Sequence, residues 1–239
     1  MRGCLFTLLL AVVVLVLVVT IGLPAVAEGV LTAGITAAGL QSDDTTVKVR
    51  SDPPTDLIGM HADHVRVSAT DATFRGMDIA DLDLDLEDVS ILDRTAGAVD
   101  GTLTGVDVPL ADGTRIRLDR ITISGQADDL SATTTIPKAQ IRRLISDAVE
   151  QQAGIRPAEV ILTAPDRLTI RTGLGVDVDG RFVVTRGGDL VVRAEGPLAG
   201  TDVTLLHGGQ DLPLTLTGAR VTSDGGLRLS GKLAISLLG

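Results

Sequence analysis

Tryptophan and tyrosine are absent from this chain, and three phenylalanines are its only aromatic residues. Base stacking and the aromatic platforms of single-strand binding are therefore excluded. Positive charge is also scarce: 21 Lys and Arg stand against 31 Asp and Glu, a formal net charge of −10. A polyanion is repelled on average, so nucleic acid is not expected as a partner, and loose adsorption to anionic lipid is disfavoured for the same reason. The single cysteine, Cys4, precedes a long apolar run. The rest of the chain forms no internal disulfide and takes its stability from its core. A lipoprotein acylation site would place the cysteine after the apolar stretch, so Cys4 reads as a small apolar residue.

Catalytic motifs are missing as well. The sequence contains no GxSxG, HExxH, GxxxxGK or GxGxxG, the patterns that mark nucleophile elbows, zinc proteases and phosphate or dinucleotide loops. His61 and His64 are three residues apart and His207 is distant, too few ligands for zinc with no cysteine available. Asp128 and Asp129, just before "LSATTT", read as turn residues. "GGLRLSGK" and "TRGGD" read as glycine turns. No nucleophile stands beside a base, so the chain is read as non-enzymatic, without metal or cofactor.

Residues 3–23, "GCLFTLLLAVVVLVLVVTIGL", carry no charge and follow Arg2. These 21 residues are long enough to span a hydrocarbon core. Yet "AVA" at 25–27, after Pro24, resembles a signal-peptidase site. Residues 1–27 are thus a transmembrane anchor or a signal peptide, and both place the remainder outside the cytoplasm, as does the positive-inside rule applied to Arg2. Residues 28–44 suggest a short, glycine-rich helix and a linker. Residues 45–239 are expected to form one β-rich domain.

The stretch "DIADLDLDLEDVSI" at 78–91 holds five aspartates and a glutamate within eleven residues. A calcium loop would need Gly at its sixth position and Glu at its twelfth. Counting from Asp81, those positions are Leu86 and Leu92; from Asp83 they are Asp88 and Arg94. Neither register works. The alternation does: Leu82, Leu84 and Leu86 go to one face of a strand, and Asp81, Asp83, Asp85 and Glu87 to the other. Similar alternation marks Val47 and Val49, Val65 and Val67, and Leu227 to Leu237. Ile116 and Leu118 are out of phase with Ile121 and Ile123, which predicts a bulge near Arg120. Leu168, Ile170, Leu174 and Val176, with Asp179 and Gly180 as turn residues before "RFVVTR", predict a hairpin. One segment has helical spacing instead: Ile141, Leu144, Ile145, Ala148 and Val149 share a face over 137–153, with Pro137 in the first turn and Gly154 at the end.

The order of these features, "DLDLDLEDVSI", then "IPKAQIRRLISDAV", then "LTIRTGLGVDVDGRFVV", then "LPLTLTGARVTSDGGLRLSGKLAISL", resembles the actinobacterial LmeA-like phospholipid-binding family of cell-envelope proteins. The resemblance covers most of 45–239 and implies an α+β fold of tubular lipid-binding type. In such a fold a long curved antiparallel sheet packs around one central amphipathic helix, with a cleft for acyl chains. It further implies a lining drawn from Leu82, Leu84, Leu86, Ile141, Leu144, Ile145, Ala148, Val149, Leu168, Ile170, Leu233 and Ile235. The implied partner is a membrane or an acyl-chain lipid. The alternative function is a structural or adaptor domain of the envelope, with a solid core and a protein partner.

Overall fold

The computed structural model describes residues 39–233 apart from 75, 94, 111–112, 174, 197–198, 210–211 and 213, and ahead of them 28–29, 32–33 and 36. The apolar segment 3–23, Leu174, Ile235 and Leu237 lie outside these residues. Among the described residues no helix is long and apolar enough to cross a membrane.

Fourteen strands dominate. They are β1 (Leu40–Gln41), β2 (Asp44–Arg50), β3 (His61–Phe74), β4 (Met77–Ser90), β5 (Ala98–Pro109), β6 (Arg115–Gln126), β7 (Asp129–Ile136), β8 (Pro157–Thr163), β9 (Arg167–Thr172), β10 (Asp177–Val184), β11 (Leu190–Ala194), β12 (Asp202–Leu206), β13 (Thr215–Val221) and β14 (Leu227–Lys232). The helix α1, Lys138–Ala153, joins β7 to β8. The "DLDLDLE" stretch lies within β4, with Leu82 buried and Asp81, Asp83, Asp85 and Glu87 exposed. Here the strand reading holds.

The sequence reading expects one sheet around the helix; the strands instead divide between two open antiparallel sheets. Nine strands run in the order β1-β3-β4-β5-β6-β7-β14-β13, with β2 also paired to β3, and five in the order β12-β11-β10-β9-β8. Helix α1 lies against β8 and β12, the two edges of the smaller sheet. Gln152 pins it there. Its Nε2 donates to the Thr204 carbonyl at 2.9 Å and its Oε1 accepts from the Thr204 N–H at 3.2 Å, so a side-chain amide takes the place of a missing strand neighbour. The larger sheet meets the smaller through β13, where the Val221 N–H donates to the Pro165 carbonyl at 2.7 Å.

Helix α1 begins after Pro137, whose carbonyl accepts from the Gln140 and Ile141 N–H groups. It ends at Gly154, where a φ of 65° closes the last turn and the N–H bonds to Glu150. An L-residue with a side chain is strained in that conformation. Ile141 and Ile145 are fully buried and Val149 nearly so, while Leu144 and Ala148 are half-buried. The helix stripe is therefore narrower than the sequence suggests.

Two glycine readings are corrected. Asp179 and Gly180 do not form a turn: β10 runs straight through them, and the hairpin turn lies at Thr172 to Val176, where the Thr172 N–H bonds to the Val176 carbonyl. A Cβ on Gly180 would stand 3.0 Å from the Arg193 carbonyl of the next strand, so glycine is there for close approach. In "GGLRLSGK" the first two glycines do turn, within Thr222 to Gly226, whereas Gly231 sits inside β14. "TRGGD" does turn, between β10 and β11.

Candidate functional site

The inward face of the nine-stranded sheet is apolar from β2 to β14, and a line along which the inward phase changes divides it. In each of four neighbouring strands the inward phase shifts by one residue: Ala69 to Ala72 in β3, Leu82 to Ile79 in β4, Leu103 to Val106 in β5 and Ile121 to Leu118 in β6. The pairs Ala69↔Leu82↔Leu103↔Ile121 and Ala72↔Ile79↔Val106↔Leu118 lie on either side of the line. Asp71, with φ 47°, and Gly105, with φ 60°, occupy it. At Gly105 a Cβ would also come within 2.9 Å of Ala80 Cβ. The bulge expected near Arg120 is not found: β5 and β6 keep one register from Ala98↔Gln126 to Pro109↔Arg115, and the change of inward phase at this point is shared by all four strands.

On one side, Ala72, Ile79, Val106, Val108, Ile116, Leu118 and Ile136 are each no more than 2% exposed. The first turns of α1 adjoin this half, held by a hydrogen bond from the Arg117 N–H to Gln140 Oε1 at 3.2 Å. This is the closed half. On the other side Val49, Leu84, Leu86, Leu103, Ile123 and Leu233 are only half-buried, although they point the same way. One row of this open half reads Leu84↔Gly101↔Ile123↔Ala132↔Gly231 across five strands. A Cβ on Gly101 would collide with the Leu84 side chain, and one on Gly231 with Leu214. Leucines thus fold over glycines, a small-against-large pattern that glycine alone permits.

The outer face is charged and cross-paired. Arg66 and Asp83 meet at 2.6 Å, Arg115 and Asp78 at 2.6 Å, and on the smaller sheet Arg193 and Asp202 at 2.9 Å. The Arg66 guanidinium, hydrogen-bonded to Asp83, holds that carboxyl below its usual range, and Arg193 does the same to Asp202. His61 and His64 are exposed residues of β3 rather than loop histidines, and His207 is exposed as well. Among the described residues no group of three His, Cys, Asp or Glu is placed to hold a metal ion.

Two cavities adjoin the helix. The apolar one, about 70 Å3, lies under Val149 and Ala153 against Ile170, Val178, Gly180, Val192 and Val203. It is far below the roughly 300–1,000 Å3 of small-molecule sites. The other, about 260 Å3, lies between Arg142, Arg143 and Ser146 of α1 and residues 157–160 of β8. The proposed lining residues thus fall into separate places. Leu84, Leu86 and Leu233 belong to the half-buried part of the open half, with Leu82, 7% exposed, where the inward phase changes. Ile141, Ile145, Val149, Leu168 and Ile170 are core, Leu144 and Ala148 are half-buried on α1, and Ile235 lies outside the described residues. Sequence reasoning passed over Leu103 and Ile123. Their signal is the same alternation, on strands β5 and β6, that revealed Leu84.

Among the described residues, long open sheets, an amphipathic helix with one buried stripe and a half-covered apolar face are features suited to sheltering apolar chains. The sequence profile of the LmeA-like phospholipid-binding family matches residues 18–232, and the chain belongs to that family. No curated protein and no solved structure matches it.

Proposed function

We propose that the protein binds a phospholipid or another acyl-chain lipid, without catalysing a reaction, along the open half of the nine-stranded sheet. The reading includes a site outside the cytoplasm, in a cell envelope, with segment 3–23 tethering the domain to a membrane or removed on export. Family membership supports the ligand class. The single observation that carries the location is the half-burial of Leu84, Leu86, Leu103 and Ile123, against full burial of Ile79, Val106 and Leu118 across the line where the inward phase changes. Apolar burial is worth about 0.8 kcal/mol per CH2, so an acyl chain laid on these leucines gains what the protein's own core does not supply there. A cleft between helix and sheet is less favoured, because the apolar cavity under α1 is only about 70 Å3. That same filled core is the observation on the side of the alternative, a structural or adaptor domain.

The test is uptake of a fluorescent phospholipid by the parent chain and by a Leu84→Glu, Leu86→Glu variant, with thermal melting of both. Uptake should fall about tenfold or more, since displacing even two CH2 groups from apolar contact is worth over 1.4 kcal/mol, and the variant should still melt cooperatively, several degrees below the parent. No uptake by the parent chain would leave the adaptor reading standing. Equal uptake by the variant would remove the lipid from this face.

A further inference from the structure

We infer that the cavity between α1 and β8 is a phosphate-binding site, formed by Arg142, Arg143 and the Ser146 hydroxyl. The cavity measures about 260 Å3, and those three side chains make its helical wall. Arg142 Nε is buried and has no hydrogen-bond partner. With Nε closed to solvent, Arg142 reaches the cavity through the outer end of its guanidinium, whose charge an anion there would balance.

Carboxylates are not in short supply: the chain has 31, and among the described residues seven arginines pair with them. Neither Arg142 nor Arg143 is among those seven. Every other described arginine without a carboxylate partner is exposed, whereas Arg142 is half-buried. The acidic group at the cavity wall, Glu159, is already held by Arg171 at 2.9 Å, so it offsets the pair only weakly. Ser146 stands one helical turn from Arg142, and its hydroxyl now donates to the Arg142 carbonyl at 3.0 Å. That hydroxyl is free to turn toward an anion, since a bond back to the helix carbonyl is easily exchanged. Two guanidinium groups and a hydroxyl converging on one cavity match the oxygens of a phosphate, which arginine binds with two parallel N–H donors. The phosphate is either a free anion or the headgroup of a phospholipid, and the site's own charges recognise both.

Inorganic phosphate titrated into the full chain in a neutral detergent should bind saturably at low salt. Binding should weaken about tenfold in Arg142→Lys, which keeps the charge but loses the planar fork of donors, and about tenfold in Arg143→Gln. Arg220→Gln, at an exposed arginine elsewhere, should leave it unchanged, and all three should melt like the parent. Micelles doped with phosphatidylglycerol then identify the source: displacement of phosphate identifies a headgroup site, and no displacement identifies a site for free phosphate. Uptake of a neutral diacylglycerol probe, which carries no phosphate, reads the apolar face separately, so a failure there leaves this site intact. Absence of saturable phosphate binding, or binding by both the Arg142 and Arg143 variants as tight as the parent's, overturns the inference.

Discussion

The two halves of the nine-stranded sheet are built by the same alternation, on the same strands, and end in different states. In the closed half Val106, Leu118 and Ile136 have no exposed surface. In the open half Leu84, Leu86 and Ile123 remain half-buried. The outer faces do not differ in this way, since exposed arginine and aspartate pairs bridge β3 to β4 in one half and β4 to β6 in the other. Alternation therefore decides which face is dry. What covers that face is decided by elements far away in sequence: in the open half Val65 and Val67 are buried while their neighbours Leu86 and Leu84 are not, and the hydrogen bond between α1 and the large sheet, at Arg117, falls on the closed half.

The largest effect should come from the cover itself. Ile145 is fully buried, so Ile145→Asp leaves an unpaired charge in the core and should destabilise the fold by several kcal/mol. Leu144, half-buried one position earlier, should tolerate the same change at a fraction of that loss. Chemical denaturation of the two variants measures the difference; equal losses would mean that α1 presents another face to the core.

A smaller effect compares the halves directly. Leu118→Ala in the closed half should cost about 2–5 kcal/mol, the range for a fully buried leucine. Leu84→Ala should cost about 1 kcal/mol, because only part of that side chain leaves water on folding. Added phospholipid should raise the melting temperature of the parent and raise it less in Leu84→Ala, since a bound ligand stabilises only through contacts it makes. Equal costs for the two leucines would erase the distinction between the halves.

Much of this was legible in the sequence. The strict Leu and Asp alternation of β4, the phase change before Ile121 and the helix ending at Gly154 are local patterns, and each is found where the spacing puts it. The division into two sheets was not legible, because it depends on β7 pairing with β14, Ile136 with Leu227, across the whole smaller sheet and the helix between them. No local pattern encodes such a partner. Gly180 and Gly231 misled for a related reason. A glycine beside aspartate or serine signals a turn, but here each makes room for a neighbour, the Arg193 carbonyl or the Leu214 side chain, that sequence cannot place. Likewise the half-burial of Leu84 is a property of what lies opposite it, and nothing in "DLDLDLE" distinguishes Leu84 from buried Leu82.

The smallest effect separates the two faces of one strand. Asp83 and Leu84 are neighbours on β4, one exposed and paired with Arg66, the other inward. Because the Arg66 hydrogen bond lowers the Asp83 carboxyl below its unfolded value, the pair contributes stability above the usual carboxylate range, near pH 3.9, and loses it as the pH falls through the lower folded value. Exposed pairs of this kind are weak and screened by salt. Asp83→Asn should therefore shift the melting temperature slightly at neutral pH and flatten its fall below about pH 4. Lipid uptake at neutral pH should be unchanged, in contrast to its loss when the adjacent Leu84 and Leu86 become glutamate. Melting curves from neutral to acid pH, run beside the uptake assay, decide the matter. If Asp83→Asn abolished uptake as well, the charged face would take part in binding, and the assignment of the ligand to the apolar face alone would fail.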